Sequence, residues 1–165
     1  MTGHALGPPE VKPMSHKLRV LIADDHQQCQ WAVTKLLNLT FDPVGAVVDG
    51  RELVDAAIVS RPDVIVSDVS MPRMTGNQAM VELRAKGYDI PFVLISSDWS
   101  GAEEYVRQGA MAFVAKIDMG SELRNAVVSA YSGQLYISRS VDADAQAKHS
   151  SVVLTADSPK QSLAI

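Results

Sequence analysis

Five short apolar runs, each followed by a segment whose apolar side chains recur at helical spacing, set the tightest constraint on how this chain folds. The runs are Leu18 to Ala23, Val44 to Val48, Val64 to Asp68, Phe92 to Ile95 and Met111 to Ala115. Between them, Trp31, Val33, Leu36 and Leu37 predict an amphipathic helix from His26 to Leu39, broken by Asp42-Pro43. Leu53, Val54, Ala57 and Ile58 mark a second helix that follows an Asp49-Gly50 turn and ends near Arg61-Pro62. Ala79, Met80 and Leu83 mark a third, closed by Gly87. A short fourth runs from Gly101 to Gln108, bounded by Gly109, and a fifth from Leu123 to Tyr131, stopped by Gly133. Strand and helix thus alternate five times. Right-handed crossovers turn that alternation into a parallel sheet with helices on both faces. The expected fold is α/β: a flavodoxin-like (βα)5 doubly wound sheet in the order 2-1-3-4-5.

That order places the first and third strands side by side, so their carboxyl ends bring Asp24, Asp25 and Asp68 together. Ser96 and Lys116 arrive at the same rim from the fourth and fifth strands. Asp68 ends a run of mostly β-branched residues, and Pro72 and Gly76 then turn the chain, which reads as a buried strand opening into a loop. Three carboxylates in one crevice repel one another unless a cation sits among them. Oxygen donors of this kind select Mg2+ over zinc or copper. With that ion bound, Asp68 stays ionised as a nucleophile towards phosphorus, while Lys116 and Ser96 pair with phosphoryl oxygens.

Composition limits the alternatives. With 47% hydrophobic and 21% charged residues in 165, the chain supports one domain with a core, expected over 17–140. Residues 1–16, with Gly7-Pro8-Pro9, read as a disordered extension. Residues 141–165, whose apolar cluster is Val152-Val153-Leu154, read as a linker or flexible tail without a helix-turn-helix pattern. A formal net charge of -4 leaves no global basic field for nucleic acid. Cys29 has no partner for a disulfide or a zinc site, so a reducing, cytoplasmic setting is expected and the thiol reads as a small side chain packed along a helix. No run approaches the ~18 apolar residues of a membrane span.

The residues Ala23-Asp24-Asp25-His26, Asp68-Val69-Ser70-Met71-Pro72-Arg73-Met74-Thr75-Gly76, Ser96 and Gly109-Ala110-Met111-Ala112-Phe113-Val114-Ala115-Lys116 together resemble a bacterial response-regulator receiver domain over about 18–139. The Ala23-to-His26 opening and the ending Gly133-Gln134-Leu135-Tyr136-Ile137-Ser138 are most similar to the NarL/LuxR-type transcriptional subgroup. The resemblance implies that Asp68 accepts a phosphoryl group from a sensor histidine kinase or phosphotransfer protein. It further implies that Asp25 and Asp68 hold Mg2+ directly, with Asp24 supporting and the Ser70 carbonyl completing the set. Ser96 and Phe113 match the family's switch pair, which remodels the face formed by the fourth helix, fifth strand and fifth helix. Asp98 and Ser70 occupy positions where the family tunes phosphate lifetime. Three features depart from the family pattern: Ala112 stands where Gly is commoner, Ser97 adjoins Ser96, and the stretch from Ser96 to Gly109 is about two residues short, which predicts a truncated fourth helix.

Plainer roles compete at several positions. Asp24 and Asp25 could cap a helix, Lys116 alone could be a solvated strand-end charge, and His26 reads as a helix-start residue near the crevice. Trp31 reads as core, Trp99 as partly exposed beside the site, and Met71, Met74 and Met80 as packing. A phosphatase using an aspartyl-phosphate would resemble a DxD pattern, and position 70 is Ser. A flavodoxin-like cofactor binder would need a phosphate cradle where two acids stand. Output stays open between transcription through a DNA-binding domain outside this chain, homodimerisation, and a stand-alone receiver acting through protein contacts.

Overall fold

The computed structural model describes residues 16–156, so all but the last residue of the expected disordered extension over 1–16 lies outside the described residues. Among the described residues, six strands form one wholly parallel sheet: β1 (Arg19–Ala23), β2 (Asp42–Val47), β3 (Val64–Asp68), β4 (Phe92–Ser96), β5 (Ala112–Ala115) and β6 (Tyr136–Ile137). Their order is β2-β1-β3-β4-β5-β6, the expected arrangement lengthened by one strand. The helices are α1 (Gln27–Asn38), α2 (Gly50–Ser60), α3 (Gly76–Ala85), α4 (Ala102–Arg107), α5 (Met119–Tyr131) and α6 (Arg139–Ala156). A 3-10 turn, Lys116–Asp118, joins β5 to α5.

Alternate residues of each strand serve opposite layers. Leu21, Ile65, Phe92, Leu94 and Phe113 pack with Leu53, Val54, Ala79, Met80 and Leu83 beneath α2 and α3. Val20, Ile22, Val64, Val66, Val93 and Val114 pack with Val33, Leu37, Leu123 and Val127 of α1 and α5. β3 and β4 are buried along their whole lengths, as strands covered on both faces must be. Each large side chain in these layers contributes roughly 1.5–3 kcal/mol, so the frame is rigid where it meets the site.

The helix termini carry their own chemistry. Asp49 accepts hydrogen bonds from Arg51 N (2.8 Å) and Glu52 N (2.9 Å), so the expected turn is the N-cap of α2. Thr75 and Gln78 form a reciprocal capping box at the start of α3. Gly87, with φ 88°, closes that helix in a conformation that suits glycine. α4 has six residues, consistent with the short segment that supplies it.

Four sequence readings need correcting. Asp42-Pro43 does not separate α1 from a later strand but opens β2; as an edge strand β2 tolerates proline, and the register shifts between Val20 and Leu21 beside it. Trp31 is 64% exposed with the Lys35 ammonium 5.0 Å over its ring, because it lies about 200° around the helix from Val33 and about 240° from Leu37, which face the sheet. β6 was not anticipated: its two residues pair with Ala112 and Phe113, too brief a run to show a period. Of the stretch 141–165 expected to be a linker or flexible tail, residues up to 156 belong to the helix Arg139–Ala156, with Val141 buried against the sheet, and 157–165 lie outside the described residues. Among the described residues its side-chain ties include the polar i,i+4 contacts of Asp144 with Lys148 (2.7 Å) and of Gln146 with Asp142 (3.0 Å), and apolar spacing gave no sign of the helix.

Gly76 ends the loop after β3 where no side chain fits. A Cβ there would overlap the Asp68 carbonyl oxygen and stand 2.6 Å from Ser67 Oγ. Gly76→Ala is expected to destabilise the protein by roughly 1–3 kcal/mol through overpacking, measured as a lower urea midpoint with an unchanged slope.

Candidate functional site

Asp24 follows β1 directly, Asp68 is the last residue of β3, and Lys116 follows β5, so three strand ends deliver their charges to one crevice. Asp24 is fully buried and its backbone N donates to the Val47 carbonyl (3.1 Å). Lys116 Nζ donates to Asp68 Oδ2 (2.9 Å) and to Asp24 Oδ2 (3.2 Å). The other oxygen of each acid is also engaged: Ser70 N donates to Asp68 Oδ1 (3.2 Å) and His26 N to Asp24 Oδ1 (2.8 Å). Asp25 stands at the rim with its side chain 28% exposed.

Burial raises the pKa of Asp68, and that effect outweighs the hydrogen bond and charge of Lys116, with Asp24 adding repulsion. Burial works against the Lys116 ammonium, yet Asp68 and Asp24 more than offset it and hold its pKa above the usual lysine range. Both directions follow from one ammonium shared by two acids. Three carboxylates and one ammonium leave two negative charges when all are ionised. A divalent cation would balance them. Asp24, Asp25, His26 and Asp68 each offer a ligand atom, all within 4.8 Å of one another, so the donor set fits such an ion.

Ser96, at the end of β4, is buried, and its Oγ accepts from Asp98 N (3.1 Å). Phe113 lies inside β5, fully buried and stacked on Tyr105 with ring centroids 6.1 Å apart. Trp99 is half-buried, and Met71, Met74 and Met80 pack in or against the core. The sequence thus named the residues that the fold brings to this edge, but three relations escaped it. His26 Nδ1 approaches Asp25 Oδ1 (3.1 Å). Cys29 Sγ lies 3.8 Å from Lys116 Nζ. The fully buried Asp49 ion-pairs with Arg73, a residue with φ 62° in the loop after β3, and Gly50 N bonds the Met74 carbonyl (3.0 Å). These contacts tether the loop that follows Asp68 to the start of α2.

The family model for the response regulator receiver domain matches residues 20–128. The chain belongs to the response-regulator receiver family. The transcriptional regulatory protein DesR of Bacillus subtilis is 30% identical over 119 residues, which span 71% of this chain and 60% of DesR. The response regulator MprA of Mycolicibacterium vanbaalenii is 30% identical over 105 residues, 64% of this chain and 42% of MprA. The chain therefore spans about half the length of these relatives. Among solved structures, the signal receiver domain of the putative response regulator NarL from Mycobacterium tuberculosis aligns with a TM-score of 0.69 and 29% identity, covering 72% of this chain and 99% of that domain. A LuxR-family regulator from Aurantimonas sp. aligns with a TM-score of 0.76 at 19% identity, over 81% of this chain and 98% of the other, and shares the fold. The receiver domain of this chain is thus NarL/LuxR-like. No helix among the described residues is long and apolar enough to cross a membrane.

The raised pKa of Asp68 has a consequence for receiver stability. Between the ordinary carboxyl pKa near 3.8 and its higher folded value, the folded state holds the proton more tightly than the unfolded one, so stability falls as pH rises through that window. In metal-free buffer, Asp68→Asn is expected to raise the melting temperature at pH 7, and the gain should vanish as pH drops below about 3.8. Calorimetry across that range checks both the sign and the window.

Proposed function

We propose that this receiver is a phosphoacceptor module in which Asp68 takes a phosphoryl group from the phosphohistidine of a sensor histidine kinase or phosphotransfer protein. The observation that carries this reading is Lys116 Nζ held between Asp68 and Asp24 at the end of the sheet. An Asp68 carboxylate oxygen forms a bond to phosphorus as the donor's phosphorus–nitrogen bond breaks and the leaving imidazole takes up a proton. Lys116 neutralises a phosphoryl oxygen and the Ser96 hydroxyl donates to another. Asp25 and Asp68 would hold Mg2+ directly, with Asp24 orienting the site and the Ser70 carbonyl as a further ligand. Bound there, Mg2+ supplies charge neutralisation between carboxylate and phosphate.

Ser96 and Phe113 serve as the switch in this reading. Movement of the Ser96 hydroxyl towards the phosphoryl group is felt at Phe113 through the β4–β5 pairing, in which Leu94 faces Phe113 and Ser96 faces Ala115. The face altered is that of α4, β5 and α5. Output is transcriptional, through a DNA-binding domain outside this chain, a reading supported by relatives named as transcriptional regulatory proteins that are longer than the matched region. The module works in the cytoplasm and turns over no substrate other than its own phosphoryl group. Position 70 is Ser rather than the second acid of a DxD phosphatase.

Incubation with a small acyl-phosphate donor and Mg2+ is expected to add one phosphate by intact mass, and Asp68→Asn should add none. Lys116→Met should slow phosphorylation by roughly 10²-fold or more, the usual loss when an oxyanion partner is removed. Unchanged mass in the parent protein, or undiminished labelling of the Asp68 variant, would overturn the assignment.

A further inference from the structure

His26 occupies the N-cap of α1, a position where a polar side chain ordinarily turns inward to bond the first free N–H groups of the helix. Here it makes no such bond. Its ring is turned the other way, towards the acids: Nδ1 stands 3.1 Å from Asp25 Oδ1 and 3.6 Å from Asp24 Oδ1. The backbone beneath it is fixed, because His26 N donates to Asp24 Oδ1 (2.8 Å) and the His26 carbonyl accepts from Gln30 N (2.9 Å). The side chain itself is 70% exposed, so little packing opposes a small rotation of the ring. One imidazole nitrogen thus joins three carboxylates within a 4.8 Å span.

We propose that His26 is a ligand of the divalent cation in this crevice, and that the site consequently binds a first-row transition ion such as Mn2+ or Co2+ more tightly than an all-oxygen set would. The proposal rests on the reading of the crevice as a cation site and adds a specificity determinant to it. Mg2+ is hard, prefers oxygen and keeps its waters, so an imidazole contributes little to its binding. Manganese and cobalt ions accept nitrogen and oxygen together, with imidazole favoured increasingly along the series. Removing His26 therefore separates the two classes of ion.

Lys116 faces the same acids from the end of β5. Its ammonium engages Oδ2 of Asp24 and Oδ2 of Asp68, while Asp25 and His26, the more exposed members of the cluster, stand at the open rim. His26 is on that open side, with no other described ion pair than those to Asp24 and Asp25.

The test is calorimetric titration of Mg2+ and, separately, Co2+ into the full chain and its His26→Ala and His26→Asn variants. Because His26 is largely exposed, both variants should unfold at the parent's temperature, and circular dichroism verifies it. Co2+ affinity is expected to fall by roughly tenfold or more in both variants, on the scale of a lost metal-site contact. Mg2+ affinity should change by less than about twofold, in line with its preference for oxygen. In the parent, the Co2+ complex should show a hyperfine-shifted, exchangeable imidazole N–H proton signal that both variants lack. Equal losses for the two ions would overturn the proposal by making His26 a support for Asp25 alone, and so would unchanged Co2+ affinity. Failure of Asp68 to accept phosphate, with the Co2+ and Mg2+ results as expected, would instead count against the phosphoacceptor reading and leave His26 as a ligand.

Discussion

A single ammonium shared between two buried carboxylates is the interaction on which the site's behaviour depends. Lys116 lies within hydrogen-bonding distance of Asp68 and Asp24 together, and it can neutralise only one of them. The remaining negative charge, increased by Asp25, makes the crevice attractive to a cation and unwelcoming to an anion that arrives alone. A phosphoryl group can therefore approach Asp68 only when positive charge accompanies it, and that requirement is built into the fold before any donor binds. The same arrangement leaves Asp68 with a net raised pKa: burial disfavours its charge, and Lys116 offsets only part of that cost.

The sheet makes that balance geometrically exact in the sense that matters for chemistry, with each charge set at a strand end rather than on a free loop. β1, β3, β4 and β5 are nearly all buried, and their apolar residues lock into two layers of helices. Carboxylates that would drift apart in a less rigid frame are held against their mutual repulsion by packing several residues away. The Arg73 ion pair with Asp49 and the Gly50-to-Met74 bond extend the frame into the loop after β3. Because Asp49 also caps α2, one buried acid fixes both a helix start and the backbone that follows Asp68.

Most of this was legible in the chain itself, for a physical reason. Parallel strands covered on both faces must be continuous apolar runs, and the crossovers between them must carry one apolar helical face, so the fold writes itself into the spacing of Val, Ile and Leu. The acids, the hydroxyl and the lysine stood out because each interrupts such a run at its end. What was hidden had no period to display. β6 has two residues; α6 is held by Asp144, Lys148 and other polar pairs with Val141 as its buried anchor. Trp31 misled because its size suggested burial while its angle on α1 placed it in solvent. Asp49 and Arg73 lie 24 residues apart, and nothing local to either announces the other. His26 could be placed near the crevice from its position, but the direction of its ring depends on the N-cap geometry.

β5 carries both Phe113 and, just past its end, Lys116, and the segment that follows α5 is bonded to all of this stretch. Ser138 N donates to the Phe113 carbonyl (3.0 Å), and Ala115 N donates to the buried Ser138 Oγ (2.9 Å). Asp118, two residues after Lys116, accepts from Ser140 N (2.9 Å) and Ser140 Oγ (2.8 Å). Glu122 accepts from the Tyr136 hydroxyl (2.9 Å) and from Arg139 N (3.2 Å). The residue before Lys116 and the turn after it are therefore both tied to residues 136–140, from which α6 begins. Lys116 cannot shift along the strand axis without disturbing those bonds, and each is a partner for a buried or half-buried polar group whose loss costs about 1–3 kcal/mol. Charge balance at the crevice and placement of the first turn of α6 are thus two ends of one short, hydrogen-bonded connection.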